Sequence, residues 1–408
     1  MTGSVEDLIK AHKGLKREVY LDLENSSPVP KEVVRAMAPY FSERAYGNPT
    51  VTHKHGWMAY ETIMGASEKL AKYIGASSPE EVNFTPGETE ANNLALIGAA
   101  LANRTRGNKI VISEIEPLSI TFSSTVLEKY GFKTTKILVD KEGFINLDML
   151  AKTVDKETVL VSIATANHEI GTIQPISEAV KIVKEKNPNT LFHTDASDAY
   201  CKIPLNIKES HVDLMTMSSY KILGPRGVGT LYVKEGVTVE RLLEGQIGTQ
   251  RLWPGVENTP LIMGFLKASE LGFRNFERNV SRMKKLRDTL TNGILDGISD
   301  TILNGPSGEK RAPDNVNISI LHCEGEAITI ELSLNGVYVS SGSACTRRLL
   351  QPSHVLTAIG RRFEEAHGSI LMKVTRYHTA DDIKYVLSVM PKAIGRLRTI
   401  SPSKGGQG

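Results

Sequence analysis

The chain has 408 residues, 40% hydrophobic and 23% charged, with a formal net charge of +3. These are the proportions of an ordinary globular protein, long enough for two domains or one large core with a smaller one appended. So small and evenly spread a charge gives no surface for nucleic acid, and no apolar run reaches the roughly 20 residues that a membrane span needs. Three cysteines (Cys201, Cys323, Cys345) without paired spacing, and a start with neither a basic nor an apolar leader segment, predict a cytoplasmic, reducing location.

Residues 1–15 read as a short polar helix and 18–23 as a strand-like entry, followed by a turn of breakers, Asn25-Ser26-Ser27-Pro28-Val29-Pro30. Residues 31–44 have helical apolar spacing. Residues 46–56, rich in Gly, Pro and His, read as a surface loop, since His53 and His55 have no acidic or thiol companions nearby. A helix is expected over 58–74. Short apolar runs then follow at 81–85, 109–112, 134–139, 159–164, 191–194, 215–218 and 229–233, mostly with helical patterns between them. Strands alternating with helices predict an α/β domain whose seven-stranded, mainly parallel sheet lies between helices.

From about residue 263 the texture changes. A helical stretch over 266–298, a strand at 317–320, a helix near 326–334, a strand at 337–339 and helices from His354 and Ala380 predict a smaller α+β domain. The expected division is 16–262 for the large domain and 1–15 with 263–400 for the small one. The tail, 401–408, reads as disordered.

Ligands in such sheets sit beyond the carboxyl ends of the strands. Four chemically capable segments fall there. Ser218-Ser219-Tyr220-Lys221 ends an apolar run and drops into Gly224-Pro225-Arg226-Gly227, while Asp195 closes the run beside it. A lysine and an acid at strand ends suit a cofactor that is linked through an amine and protonated on a ring nitrogen. Thr85-Pro86-Gly87-Glu88-Thr89 before a helix is a candidate phosphate cup of free N–H groups, and Asn167-His168-Glu169 could place a polar group against a bound ring. In the small domain, Ser340-Ser341-Gly342-Ser343-Ala344-Cys345-Thr346-Arg347-Arg348 sets a thiol in a flexible loop, with two arginines that favour the thiolate. Cys201 and Cys323, among apolar neighbours, read as core.

The order of these motifs resembles the cysteine desulfurases of the NifS/IscS type, within the class V aminotransferase group of fold-type I enzymes. The resemblance runs from about residue 19 to 390, through Tyr20-Leu21-Asp22, Gly47-Asn48-Pro49, Phe84 to Asn93, Glu169-Ile170-Gly171, His193 to Ala196, Ser218 to Pro225 and Ser341 to Cys345. It implies pyridoxal 5′-phosphate as cofactor, Lys221 as its Schiff-base lysine, Asp195 on the pyridine nitrogen, and Thr89 and Ser218 on the phosphate. Glu88, His168, Asp198 and Tyr220 are expected around the same cofactor. Cys345 is expected to take sulfur from cysteine as a persulfide, leaving alanine, for iron–sulfur cluster assembly or tRNA thiolation. A homodimer, and a sulfur acceptor or scaffold protein as partner, also follow from the resemblance; direct contact with nucleic acid or a membrane does not.

Several positions depart from the family pattern. Pro117 stands for the histidine stacked over the cofactor ring, and His168 for the asparagine at the phenolic oxygen. Asp198 stands for a glutamine and Tyr220 for the histidine before the lysine. Val256 replaces a phosphate-binding threonine given by the partner subunit, and Leu371 the arginine that clamps the substrate carboxylate, with Lys373 and Arg376 as stand-ins. Two other readings therefore remain beside the desulfurase: a relative without turnover, using Cys345 as sulfur carrier or cluster ligand, and another PLP-dependent lyase or transaminase. No metal site is expected under the first reading.

Overall fold

The structure, a computed structural model, describes residues 15, 17–342 and 352–400. All of the helix predicted over 1–15 except residue 15, together with the loop with Cys345 and the tail, lies outside those residues. Strands are numbered along the chain: β1 (Val19–Tyr20), β2 (Val82–Thr85), β3 (Lys109–Ser113), β4 (Lys133–Ile137), β5 (Thr158–Ser162), β6 (Leu191–Asp195), β7 (Leu214–Ser218) and β8 (Gly229–Val233). Seven of them form one sheet in the order β2-β8-β7-β6-β5-β3-β4. From β7 to β4 the neighbours run parallel, and β8 lies antiparallel between β7 and β2. The sheet is the expected one, mainly parallel and seven-stranded.

Alternation along each strand divides its side chains between two cores. Val111 belongs to one, Ile110 and Ile112 to the other; Met215 and Met217 face the first, Leu214 the second. All residues of β5, β6, β7 and β8 are buried, which is why these strands lack the polar alternation of a half-exposed sheet.

The second unit has its own core. β9 (Thr301–Leu303), β10 (Asn315–Ile320), β12 (Ser340–Ser341) and β13 (Ser369–Lys373) form an antiparallel sheet in the order β12-β13-β10-β9, while β11 (Val337–Tyr338) pairs with β1. Helices Phe276–Gly297 and Ala380–Ile400 cover it. β9 and β13 have no counterpart in the sequence reading, and β13 carries both Leu371 and Lys373.

The helix expected over 266–298 is two helices, Thr259–Phe273 and Phe276–Gly297. They are parted at Asn275, whose φ of 60° lies in the left-handed region that asparagine tolerates better than most residues. The first packs on the core of the large unit and the second on that of the small one, so the break is where the chain changes cores. The loop expected over 46–56 ends earlier. A helix starts at Lys54, and His53 caps it by accepting a hydrogen bond from the Gly56 amide at 3.1 Å. Among the described residues no helix is long and apolar enough to cross a membrane.

Candidate active site

β6 and β7 are parallel neighbours, so their carboxyl ends deliver Asp195 and Ser218 side by side. The chain leaves β7 through Ser219 and a single tight turn, Tyr220–Ile222, closed by Leu223 at φ 70°. That strained residue is held because the Gly224 amide bonds back to the Ser219 carbonyl at 2.9 Å, and a Cβ on Gly224 would fall 2.2 Å from the Ser219 hydroxyl. The turn drives Lys221 inward until its side chain is 1% exposed.

Its amine does not stand alone. Lys221 Nζ donates to Glu24 and, at 3.1 Å, to Asp198 Oδ2. Lys373, from β13, donates to the other oxygen of each: to Glu24 Oε2 at 2.5 Å and to Asp198 Oδ1. Two lysines and two carboxylates thus alternate in a closed ring. Lys202 adjoins it, 3.8 Å from Asp198 and 2.7 Å from Asp314 Oδ2. Burial alone would push the Lys221 amine down, but Asp198 and Glu24 override it and hold the amine well above the usual lysine range. Lys373 is raised for the same reasons. Burial likewise works against the Asp198 carboxylate, yet Lys221, Lys373 and Lys202 hold it well below the usual range. The ring is fully charged at neutral pH, and so buried an arrangement survives only because each charge has two opposite neighbours.

The Asp195 side is quieter. Oδ2 accepts from Asn92 Nδ2 at 2.7 Å and Oδ1 from the Ser197 amide at 2.9 Å. Asn92 rides on the helix that opens at Glu88, which fixes the carboxylate against the carboxyl end of the sheet. Burial raises the pKa of Asp195, partly offset by these hydrogen bonds. The nearby Ser218 hydroxyl is buried without a partner. Glu88, at the start of that helix, is pushed up to about 8 by burial and then by Asp195, and one of its oxygens has no donor. Close approach of β8 to the Pro86-Gly87 turn requires Gly229, because a Cβ there would lie 2.9 Å from the Gly87 carbonyl carbon. Thr89 is exposed.

In front of the ring lies a cavity lined by Glu24, His168, Glu169, Gly342 and Leu371, among others. Burial pushes His168 down to about 4, so its imidazole is neutral, with Nδ1 unpartnered. Burial pushes Glu169 up to about 8; its carboxyl accepts from Ser353 Oγ at 2.6 Å. Leu371 lines this cavity as an apolar wall, and Lys373, two residues on along the same strand face, joins the ring. The Tyr220 ring lies 5.5 Å from the Lys221 amine, and burial raises its hydroxyl. Pro117 opens the helix Leu118–Glu128. Val256 is 61% exposed at the rim of a second cavity, beside Thr85, Pro86 and Trp253.

Of the residues expected around the cofactor, Glu88, His168, Asp195, Asp198, Ser218, Tyr220 and Lys221 come together, and Thr89 points to the surface. Cys345 lies outside the described residues; Ser340–Ser341 and Gly342, which lead to it, border the cavity. Glu24, Asn92 and Lys202 were missed as site residues, and Lys373 entered only as a stand-in. The signal for Lys373 was the one that revealed Lys221, a lysine closing an apolar run. Glu24 lies two residues beyond the Tyr20-Leu21-Asp22 motif. Cys201 is buried as expected, and Cys323 is half-buried at the edge of the second core.

The model of the family described as aminotransferase class-V matches residues 19–386. "Cysteine desulfurase IscS" of Dictyoglomus turgidum is 44% identical over 390 residues, covering 96% of this chain and 98% of the relative. A solved "NIFS-like protein" superposes with a TM-score of 0.87 at 32% identity, over 93% of this chain and all of the other. A structure described as "SspA in complex with cysteine" has a TM-score of 0.76 at 28% identity, over 89% of this chain and all of the other.

Pyridoxal 5′-phosphate is the cofactor of this family, and the residues present fit it. Asp195 is a buried carboxylate with room for one more donor, the Ser218 hydroxyl is buried and unpartnered, and Lys221 lies at the next strand end. Two features fit less well: Glu88 brings a carboxyl to the helix start that would receive the phosphate, and the Lys221 amine is held charged.

Proposed function

The chain belongs to the class V aminotransferase family, and we propose that within it the protein is a cysteine desulfurase, converting cysteine to alanine and carrying the sulfur as a persulfide on Cys345. The observation that carries this reading is the pairing of two neighbouring strand ends: Asp195 closing β6 and the buried Lys221 just beyond β7. Bound pyridoxal 5′-phosphate supplies an electron-accepting ring. Asp195 holds the proton on its nitrogen, oriented by Asn92 and the Ser197 amide. Ser218 offers its hydroxyl to the phosphate.

Lys221 is the amine that links the cofactor and later moves the proton of the substrate Cα. Both tasks need it neutral, so the contacts to Glu24 and Asp198 that hold its proton must be broken before it can act. As they release Lys221 they keep Lys373 as counter-ion. Lys373 stands in for the absent arginine: Leu371 gives the cavity in front of the ring an apolar wall, and Lys373 reaches that cavity's edge through its ion pair with Glu24, which lines it. The Cys345 thiolate attacks the substrate sulfur: an S–S bond forms, the C–S bond breaks with its electron pair left on the carbon side, Cβ takes up a proton and Cα regains the one it gave to Lys221, giving alanine.

The partners proposed are a second copy of the chain and a protein that accepts the sulfur. Phe41, Trp57, Tyr60, Ile247 and Val256 are exposed large hydrophobics, with Val256 at the cavity beside Thr85 and Pro86; a homodimer that covered them would also close that cavity. We place the reaction in the cytoplasm.

The test is to saturate the purified chain with pyridoxal phosphate, record its visible spectrum, add cysteine and assay sulfide and alanine. Expected are an absorbance band lost in Lys221→Ala, and sulfide lost in Cys345→Ala with the band retained. One observation favours the relative without turnover: the fully charged ring around Lys221. A chain that shows no band at excess cofactor supports that reading and sinks the enzymatic one.

A further inference from the structure

A further cavity, of about 30 Å³ and distinct from that beside Val256, lies against Lys202, Lys221, Lys373, Arg376, Asp314 and Cys201, and shares no lining residue with the one in front of the ring. Its polar groups do not balance. The three lysines meet three carboxylates: Lys221 and Lys373 bond Glu24 and Asp198, and Lys202 bonds Asp314. Arg376 is left over. Its Nε and Nη2 are buried without an acceptor, it forms no ion pair with a described residue, and its guanidinium merely rests 4.9 Å from the Tyr377 ring centroid. In the same wall, Asp314 Oδ1 is buried without a donor.

We propose that this cavity is a binding site for a small planar monoanion, bicarbonate or a one- or two-carbon carboxylate, held edge-on by Arg376. Nε–H and Nη2–H form the side of the guanidinium that takes two oxygens of a planar oxyanion in parallel hydrogen bonds. The charge requirement is met because a monoanion neutralises the one cation in this wall that has no carboxylate. Size admits the smallest of these ions: about 30 Å³ is room for roughly two waters, about the bulk of a formate, and bicarbonate or acetate fits when the half-buried Arg376 side chain gives way slightly. Bicarbonate completes the polar set, since its hydroxyl can donate to Asp314 Oδ1; formate or acetate leaves that oxygen to a water. Held there, the anion joins the segment that follows β13, which carries Arg376, to Lys202 of the large unit, so binding stabilises the folded protein.

The test is thermal unfolding of the full chain, saturated with pyridoxal phosphate, at fixed ionic strength and pH while chloride is exchanged for bicarbonate, formate or acetate. Expected is a saturable rise of about 2 °C or more in the unfolding midpoint with the planar anions, larger for bicarbonate than for formate, and absent in Arg376→Gln. Carbon-13 bicarbonate should also show exchange broadening with the parent chain and not with Arg376→Gln, whatever the variant's stability. No saturable shift and no broadening would mean a cavity filled by water alone. An equal response in Arg376→Gln would mean diffuse binding elsewhere; either result overturns the proposal. Neither readout requires turnover, so failure here is separate from failure of the desulfurase reading.

Discussion

Two ends of one pocket, only a strand apart, are built on opposite principles. At Asp195 a single carboxylate takes two neutral donors, Asn92 and the Ser197 amide, and keeps capacity for a third partner. At Lys221 four charges satisfy one another completely, leaving nothing over for a ligand until the ring opens. The first arrangement is preorganised for what it binds; the second must exchange one internal partner for an external one. Departures from the family pattern are few at the first end, where Pro117 opens the helix that meets Asn92 through Ser119, whereas His168, Asp198, Tyr220 and Leu371 gather at the second. The lesson is that a retained lysine says little until its counter-ions are counted.

The comparison can be broken most severely at Lys221. Lys221→Ala should abolish the cofactor band and all sulfide release, and it leaves Glu24 and Asp198 with Lys373 between them. Next is Asp198→Asn, which removes the one carboxylate that touches all three lysines. Losing one member of a buried charge network typically costs about 3–5 kcal/mol, to be read as a fall in denaturation midpoint at unchanged slope. Asn92→Ala should act less on stability and more on the cofactor, because Asp195 loses an orienting donor worth about 1–3 kcal/mol; a titration of absorbance against added pyridoxal phosphate measures it.

The smallest effect concerns Glu88 and pH. Its folded-state pKa is raised to about 8, above that of the unfolded chain. Between the unfolded value and about pH 8 the folded form keeps a proton that the unfolded form has lost, so stability falls as pH rises through that window and levels off above it. Ionised Glu88 also repels a phosphate. Cofactor affinity should therefore drop as pH passes about 8, and Glu88→Gln should flatten the drop; an unchanged slope in that variant would show that the carboxyl does not face the phosphate.

Much of this was legible in the sequence, for identifiable reasons. β5 to β8 are short β-branched and apolar runs that end in polar turns, and burial on both faces makes such runs unmistakable. Asp195 ends one of them and Lys221 lies in the turn just past the next, so their closeness followed from the sheet. β13 is also a buried run, Ser369–Lys373, but it pairs with β10 and β12, both distant in sequence, and no turn motif announces it. The ring was illegible for the same reason: Glu24 and Lys221 are 197 residues apart, Asp198 and Lys373 175. The break at Asn275 escaped notice because apolar spacing continues across it; only the backbone angle marks the change of core.

The proposed function rests in this half of the pocket on one proposed substitution of role, Lys373 for the missing arginine, and the most direct measurement is kcat/KM for cysteine in Lys373→Met with and without Leu371→Arg. Loss of a charge-assisted contact to the carboxylate is worth about 1.5–3 kcal/mol, a roughly 10- to 150-fold fall carried mainly by KM. The account predicts that fall in Lys373→Met and substantial recovery when arginine is restored at position 371. Unchanged KM in a folded, cofactor-loaded Lys373→Met, or a parent chain that binds the cofactor but turns over no cysteine, would contradict it.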